Sequence, residues 1–355
     1  MFRHHLFFIL ATVAPTITVA FISKPLSRPS FALSAEKKKI FIDGEAGTTG
    51  LQVRDRLAGR DDLEIISIPD ELRKDASERK KYVNEADAVI LCLPDDASIE
   101  AASWVEPDND RTVLIDASTA FRVDDNWTYG FPELSPKQKE DLKKSTRISN
   151  PGCYPTGFIG LTRPLVDAGI LPAGTPLTVN AISGYTGGGK GLMAIFEEGD
   201  HEPWSGYGFG LAHKHIPEMG KYSGLGTKPI FQPQIGSFAQ GMVVSVPLHY
   251  AWLKEGTTGA DIHAALSKHY EESTFISVMP YGENAVKEAD LFERGAFLRP
   301  DTLANTNKMQ LFVFANDDAG QALLCARLDN LGKGASGAAV QNLNLALGLE
   351  ESIGL

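Results

Sequence analysis

Cysteine is scarce: Cys92, Cys153 and Cys325 are the only three in 355 residues. Three thiols cannot build a disulfide framework, and with no CxxC or other metal-ligand spacing they build no zinc centre either. A reducing compartment follows for the mature protein. Positive charge is also in deficit, with 34 Lys and Arg against 45 Asp and Glu for a net charge of −11. That excludes broad binding to nucleic acid or anionic membrane, so an anionic ligand has to be met by a local cluster of donors. Internal repeats and low-complexity linkers are missing too. What is present is 43% hydrophobic content, enough for a sizeable core and, by length, roughly two domains.

The first residues read as a leader rather than as fold. Arg3 precedes LFFILATVA, an apolar run too short to span a bilayer, and Thr18-Val19-Ala20 offers a small-residue cleavage site. FISKPLSRPSFALSA follows, with serines, Lys24 and Arg28 and no acid before Glu36, which is transit-peptide composition. Residues 1–35 carry three positive and no negative side chains, so the remainder stands at −14, three units below the whole chain. This order is similar to the bipartite plastid presequences of algae with secondary plastids, in which a Phe, here Phe21, follows the signal site. The expectation is a presequence over 1–37 and a plastid location; secretion or a cytoplasmic location is the alternative.

KKIFID (38–43) is a short apolar strand running into GEAGTTG and the helical LQVRDRLAG. LEIISI (63–68), DAVILCL (87–93) and TVLIDA (112–117) read as buried strands separated by stretches long enough for crossover helices. That alternation predicts an α/β fold with a doubly wound parallel sheet over 38–150. From 151 the pattern changes to longer strands, PLTVNAISGY and GMVVSVPLHY, with many Gly and Pro. A second domain with a mixed sheet over 151–329 is expected. The tail, 330–355, predicts a glycine-rich loop and an amphipathic helix returning to the first domain.

Gly44, Gly47 and Gly50 form GxxGxxG at the first strand-to-helix turn, where backbone N–H groups and the helix dipole favour a pyrophosphate. Thr48 and Thr49 add hydroxyl donors; a tight turn without ligand is the alternative. SIPDELRKD lacks an acid at the end of the second strand and supplies Arg73 and Lys74 instead. This favours a 2′-phosphate, hence NADP over NAD, against a merely solvated helix start. In SNPGCYPTG (149–157), Cys153 at the first turn of a helix gains a lowered pKa from free N–H groups and the dipole, and the same N–H groups suit an oxyanion. The alternative is a small buried hydrophobe, the expected state of Cys92 and Cys325. HKHIPE supplies His213 and His215, with Glu218 placed to orient an imidazole if the segment turns helically; a metal pair lacks a third ligand, so no metal is expected. GYTGGGKG ends in Lys190 and suits a cofactor or phosphate, unless it is only a sharp turn. DASTAFR puts Ser118, Thr119 and Arg122 at the ligand end of a parallel strand, where Arg122 suits an anion or a surface salt bridge.

FIDGEAGTTGL, LCLPDDAS, LIDASTAFR, YGFPEL, SNPGCYPTG, SGYTGGGKG, GLAHKHIPE and NLGKGASGAAVQNLNLALG together resemble, in order, the motifs of N-acetyl-gamma-glutamyl-phosphate reductases of the shorter second type. The resemblance runs from Lys38 to the C-terminus. It implies a Rossmann NADP domain completed by the C-terminal helix, and a catalytic and dimerisation domain of the glyceraldehyde-phosphate and aspartate-semialdehyde dehydrogenase type. It implies Cys153 as nucleophile and either His213 or His215 as acid/base. Gly188, Gly189 and Asn342 approach the cofactor by analogy, and Ser118, Arg122 and Lys190 are the candidates for the substrate's anionic groups. A homodimer or homotetramer is implied. The expected reaction is NADPH-dependent reduction of N-acetyl-L-glutamyl 5-phosphate through a cysteine thioester, in arginine biosynthesis. An aspartyl or aminoadipyl semialdehyde dehydrogenase, or a non-catalytic dinucleotide-binding regulator, are the alternatives.

Overall fold

The computed structural model describes residues 37–199 and 201–355; the expected leader, apart from Lys37, lies outside them. Six strands, β1 (Lys38–Asp43), β2 (Leu63–Ile66), β3 (Ala88–Leu91), β4 (Val113–Asp116), β5 (Thr128–Tyr129) and β6 (Arg147–Ser149), form one parallel sheet in the order β2-β1-β3-β4-β6-β5. The chain reverses its winding between β1 and β3, and a crevice opens there at the carboxyl ends of the strands. Consecutive β1 residues serve opposite layers. Ile40 and Ile42 join Val53 of α1 (Thr48–Leu57) in one core, and Phe41 joins Val83 of α2 (Ala76–Glu85) and Ala101 of α3 (Asp95–Ala102) in another. Strand β2 stops two residues short of the expected LEIISI, because Pro69 has no N–H to continue the ladder and disfavours regular pairing just before it.

After α4 (Pro136–Leu142) and β6, the chain enters α5 (Cys153–Asp167), whose side chains are buried on nearly every face. An all-round buried helix marks the centre of a molecule. It lies against a seven-stranded mixed sheet built from β7 (Thr178–Gly184), β8 (Trp204–Gly206), β9 (Ile230–Gly236), β10 (Met242–His249), β11 (Ile276–Val278), β12 (Met309–Asn316) and β13 (Gln321–Leu328). Their order is β11-β12-β13-β10-β7-β9-β8. Glycine sets the helix-to-sheet distance: a Cβ at Gly157 would come within 2.7 Å of Val244 on β10, and one at Gly160 within 2.7 Å of Met309 on β12. The remaining helices are α6 (Gly189–Glu198), α7 (Ile216–Tyr222), α8 (Gly259–His269), α9 (Gly282–Glu288) and α10 (Gly337–Ala346). Helix α10 packs with Ala339, Val340 and Leu343 into the Ile40–Ile42 layer of the first sheet. It is not amphipathic as the sequence suggests. Every residue from Gly337 to Leu345 is buried, and Asn342 and Asn344 donate their Nδ2 hydrogens to carbonyls of neighbouring loops. Among the described residues no helix is long and apolar enough to cross a membrane.

Candidate active site

Gly152 caps α5 and Cys153 opens it. The first-turn amides of Cys153 and Tyr154 face the sulfur, and Pro155 contributes no N–H. Two loops close on this point. A Cβ on Gly152 would lie 2.5 Å from His215 Nδ1 and 2.6 Å from Arg122 Nη1, and one on Gly334 would lie 2.7 Å from Cys153 Cβ. Glycine at both places lets an imidazole and the turn before α10 sit directly on the nucleophile.

Below the sulfur lies one buried carboxylate with four donors. Glu218 Oε1 accepts from Arg122 Nη1 at 2.8 Å and His215 Nδ1 at 2.9 Å; its Oε2 accepts from the Tyr129 hydroxyl at 3.0 Å and the Gly152 N–H at 3.1 Å. Burial opposes ionisation of Glu218, but Arg122 and His215 outweigh it and hold the carboxyl down to about 2. Arg122 Nη1 also lies 3.0 Å from His215 Nδ1. With its proton on Nδ1, His215 donates to Glu218 Oε1 beside the bond from Arg122. That tautomer leaves Nε2 with a free lone pair. Burial and, secondarily, Arg122 lower the basicity of His215 against the pull of Glu218. His213 accepts from the His215 backbone N–H at 3.2 Å and is pushed down to about 4 by partial burial and by the charges of His215 and Lys214. The expectation of a low-pKa thiol is corrected here. Burial pushes Cys153 up to about 11, outweighing Arg122 and the helix amides.

Cys153, His213 and His215 share a cavity of about 270 Å³ with Tyr154, Tyr207, Gly187, Gly188 and Lys214. Gly189 and Lys190 do not line it. Gly189 ends the glycine turn at φ +77°, and Lys190 is exposed on the first turn of α6. A second cleft of about 360 Å³ lies at the β1 end of the crevice, lined by Asp43, Gly44, Glu45, Ala46, Asp70, Arg73, Lys74 and Arg79. Gly44 adopts φ +86°, where a Cβ would collide with the Cys92 carbonyl, and Gly50 packs against the Gly44 and Glu45 backbone. Gly47 caps α1, whose first turn, Thr48 and Thr49 included, carries no acid. The backbone is thus brought close to the cleft, and the nearest acids, Glu45 and Asp43, are paired with Arg54 and Arg79, which fits a pyrophosphate. Arg79 is bidentate to Asp43 and stacks on Trp104.

Three expected ligand contacts are revised by their burial and bonding. Ser118 donates 2.7 Å to Asp116 and is 7% exposed, so its hydroxyl closes the β4 turn. Arg122 is no free clamp: besides Glu218 it donates to the carbonyls of Asn150 and Ala117. Asn342 is fully buried in mid-helix and donates to Gly130 O and Asn150 Oδ1, so it braces the SNPGC loop. Sequence reasoning missed Tyr129, although YGFPEL stood out, because only the fold brings that hydroxyl to Glu218. It also passed over Lys214, hidden between two histidines, and Asn330, which bonds Gly241 N and Thr186 beside the glycine turn. Among the described residues no cluster of three His, Cys, Asp or Glu side chains is placed to hold a metal ion.

Residues 40–142 match the semialdehyde dehydrogenase NAD-binding domain, and residues 153–330 the semialdehyde dehydrogenase dimerisation domain. The chain is 49% identical over 327 residues to N-acetyl-gamma-glutamyl-phosphate reductase 2 of Nostoc sp., covering 90% of this chain and 99% of the relative. It is 51% identical over 318 residues to N-acetyl-gamma-glutamyl-phosphate reductase of Brucella ovis, covering 88% and 99%. Among solved structures, aspartate semialdehyde dehydrogenase II of Vibrio cholerae, complexed with ASA, superposes with a TM-score of 0.63 at 15% identity, covering 88% and 99%. The enzyme of Candida albicans with NADP gives 0.56 at 13%, covering 87% and 98%. These two likenesses concern the fold alone.

Proposed function

The chain belongs to the N-acetyl-gamma-glutamyl-phosphate reductases, within the semialdehyde dehydrogenase family, and we propose that Cys153 carries that reaction here through a thioester. The observation that carries the assignment of roles is the placement of His215 against Gly152, its Nδ1 2.9 Å from Glu218 Oε1, in one cavity with Cys153. The thiol proton passes to His215 Nε2, and the sulfur attacks the acyl carbon of N-acetyl-L-glutamyl 5-phosphate. The bond from that carbon to the phosphate oxygen breaks, and phosphate leaves as hydrogen phosphate, taking from solvent the one proton the overall reduction consumes. Gly44–Gly47, Arg73 and Lys74 would hold NADPH, which would supply the hydride that reduces the thioester carbon. The amides of Cys153 and Tyr154 hold the resulting oxyanion. Its collapse breaks the carbon–sulfur bond, releases N-acetyl-L-glutamate 5-semialdehyde, and the sulfur recovers its proton from His215. Arginine biosynthesis is the pathway this product serves.

His215 is therefore assigned the acid/base role, with His213 supporting the His215 backbone. The match of residues 153–330 to a dimerisation domain supports a homodimer or homotetramer, and the composition of residues 1–35 supports plastid import. The assay that tests the reading is phosphate-dependent oxidation of N-acetyl-L-glutamate 5-semialdehyde with NADP and with NAD. Turnover that prefers NADP is the expected result; turnover of aspartate semialdehyde in its place would overturn it.

A further inference from the structure

The substrate brings two anionic groups, the acyl phosphate at its reacting end and the α-carboxylate three carbons away. Lys214 is the single lysine or arginine among the residues lining the Cys153 cavity. It is exposed, and no hydrogen bond or ion pair joins it to another described residue; the nearest acid its charge bears on is Asp95, whose carboxylate is already taken by Thr119. Arg122, the other nearby cation, is bound to Glu218 and to two carbonyls beneath the nucleophile. The two cations serve different ends of the cavity. Of the two, Arg122 bears on the thiol and Lys214 on His213, while both bear on His215 and on Asp95. The phosphoryl group must lie beside the carbon attacked by sulfur, within the field of Arg122.

We infer that Lys214 binds the α-carboxylate of the substrate and so measures the length of the chain between that carboxylate and the reacting carbon. This rests on the reductase reading above and deepens it. A lysine is a compact point charge on a flexible stem, suited to gripping a carboxylate without bidentate geometry. Loss of one charge-assisted hydrogen bond corresponds to roughly a 10- to 100-fold loss of affinity.

The test is steady-state kinetics of the phosphate-dependent oxidation, comparing wild type, Lys214→Met and Lys214→Arg. N-acetyl-L-glutamate 5-semialdehyde is compared with 4-acetamidobutanal, the same aldehyde without the carboxylate. Lys214→Met should raise the KM of the semialdehyde about 10- to 100-fold, leave the KM of phosphate within about twofold, and leave 4-acetamidobutanal unaffected. Lys214→Arg should restore most of the loss. A rise in the phosphate KM in place of the aldehyde KM, an equal loss for both aldehydes, or no change at all would overturn the assignment. Failure of the wild type to oxidise the semialdehyde, with a different aldehyde accepted, would instead sink the reductase reading.

Discussion

At the scale of single residues, the ionisation of Cys153 decides how the site is armed. Because burial lifts the thiol to about 11, alkylation of the free enzyme by iodoacetamide should accelerate about tenfold per pH unit between pH 7 and 9. A rate already levelling off at mildly acidic pH would show a preformed thiolate instead. Cys153→Ser should lower turnover about 10³-fold or more, with NADPH binding, followed by fluorescence, intact. His213 sets a second pH dependence. Its folded pKa of about 4 lies below the 6.5 of the unfolded chain, so unfolding takes up a proton. Its contribution to stability is complete above pH 6.5 and declines as pH falls toward 4. Urea denaturation should show that decline, and His213→Asn should flatten it. The residues legible in the sequence were those whose chemistry depends on neighbours in the chain: Cys153 after Pro-Gly, the histidine pair, and the glycines of the first turn. Ser118, Arg122 and Asn342 misled because side-chain type marks a donor without saying which buried acceptor claims it.

Elements place these groups through their ends. Helix α5 begins at the nucleophile, and the turn before it is held by a bond from the Gly152 N–H to the carboxylate that also fixes His215. Gly152→Ala would drive a methyl group into the imidazole. A displacement near 1 Å corresponds to a loss of roughly 100-fold in kcat, with far-ultraviolet circular dichroism unchanged; wild-type kcat in that variant would refute the close approach. Strands β1, β3 and β4 were readable as apolar runs, since burial on both faces leaves a continuous signature, and β7 and β10, buried at alternate residues, were readable by their length. Strands β5 and β6, with two and three residues, carry no period to read. Helix α10 was misjudged for a related reason. Its asparagines suggest an exposed face, and only the opposing loops reveal that both are buried and bonded.

At the scale of the whole molecule, Lys333 ties the C-terminal segment to the first domain. Its ammonium, 1% exposed, bonds Glu133 and Gln341 at 2.7 Å each, in the turn that carries Gly334 onto Cys153. Lys333→Met leaves Glu133 buried without its cation. It should cost about 3–5 kcal/mol of stability in urea denaturation, and an unchanged midpoint would show the pair to be incidental. Sequence gave no hint of this tie, because its partners lie 200 and 8 residues away. The glycine contacts of α5 have a final consequence. With Gly157 and Gly160 seated directly on β10 and β12, the helix bearing the sulfur has no slack in which to slide or tilt. The depth at which the nucleophile sits is therefore dictated by the sheet of the second domain, and not by the layer that meets the nucleotide.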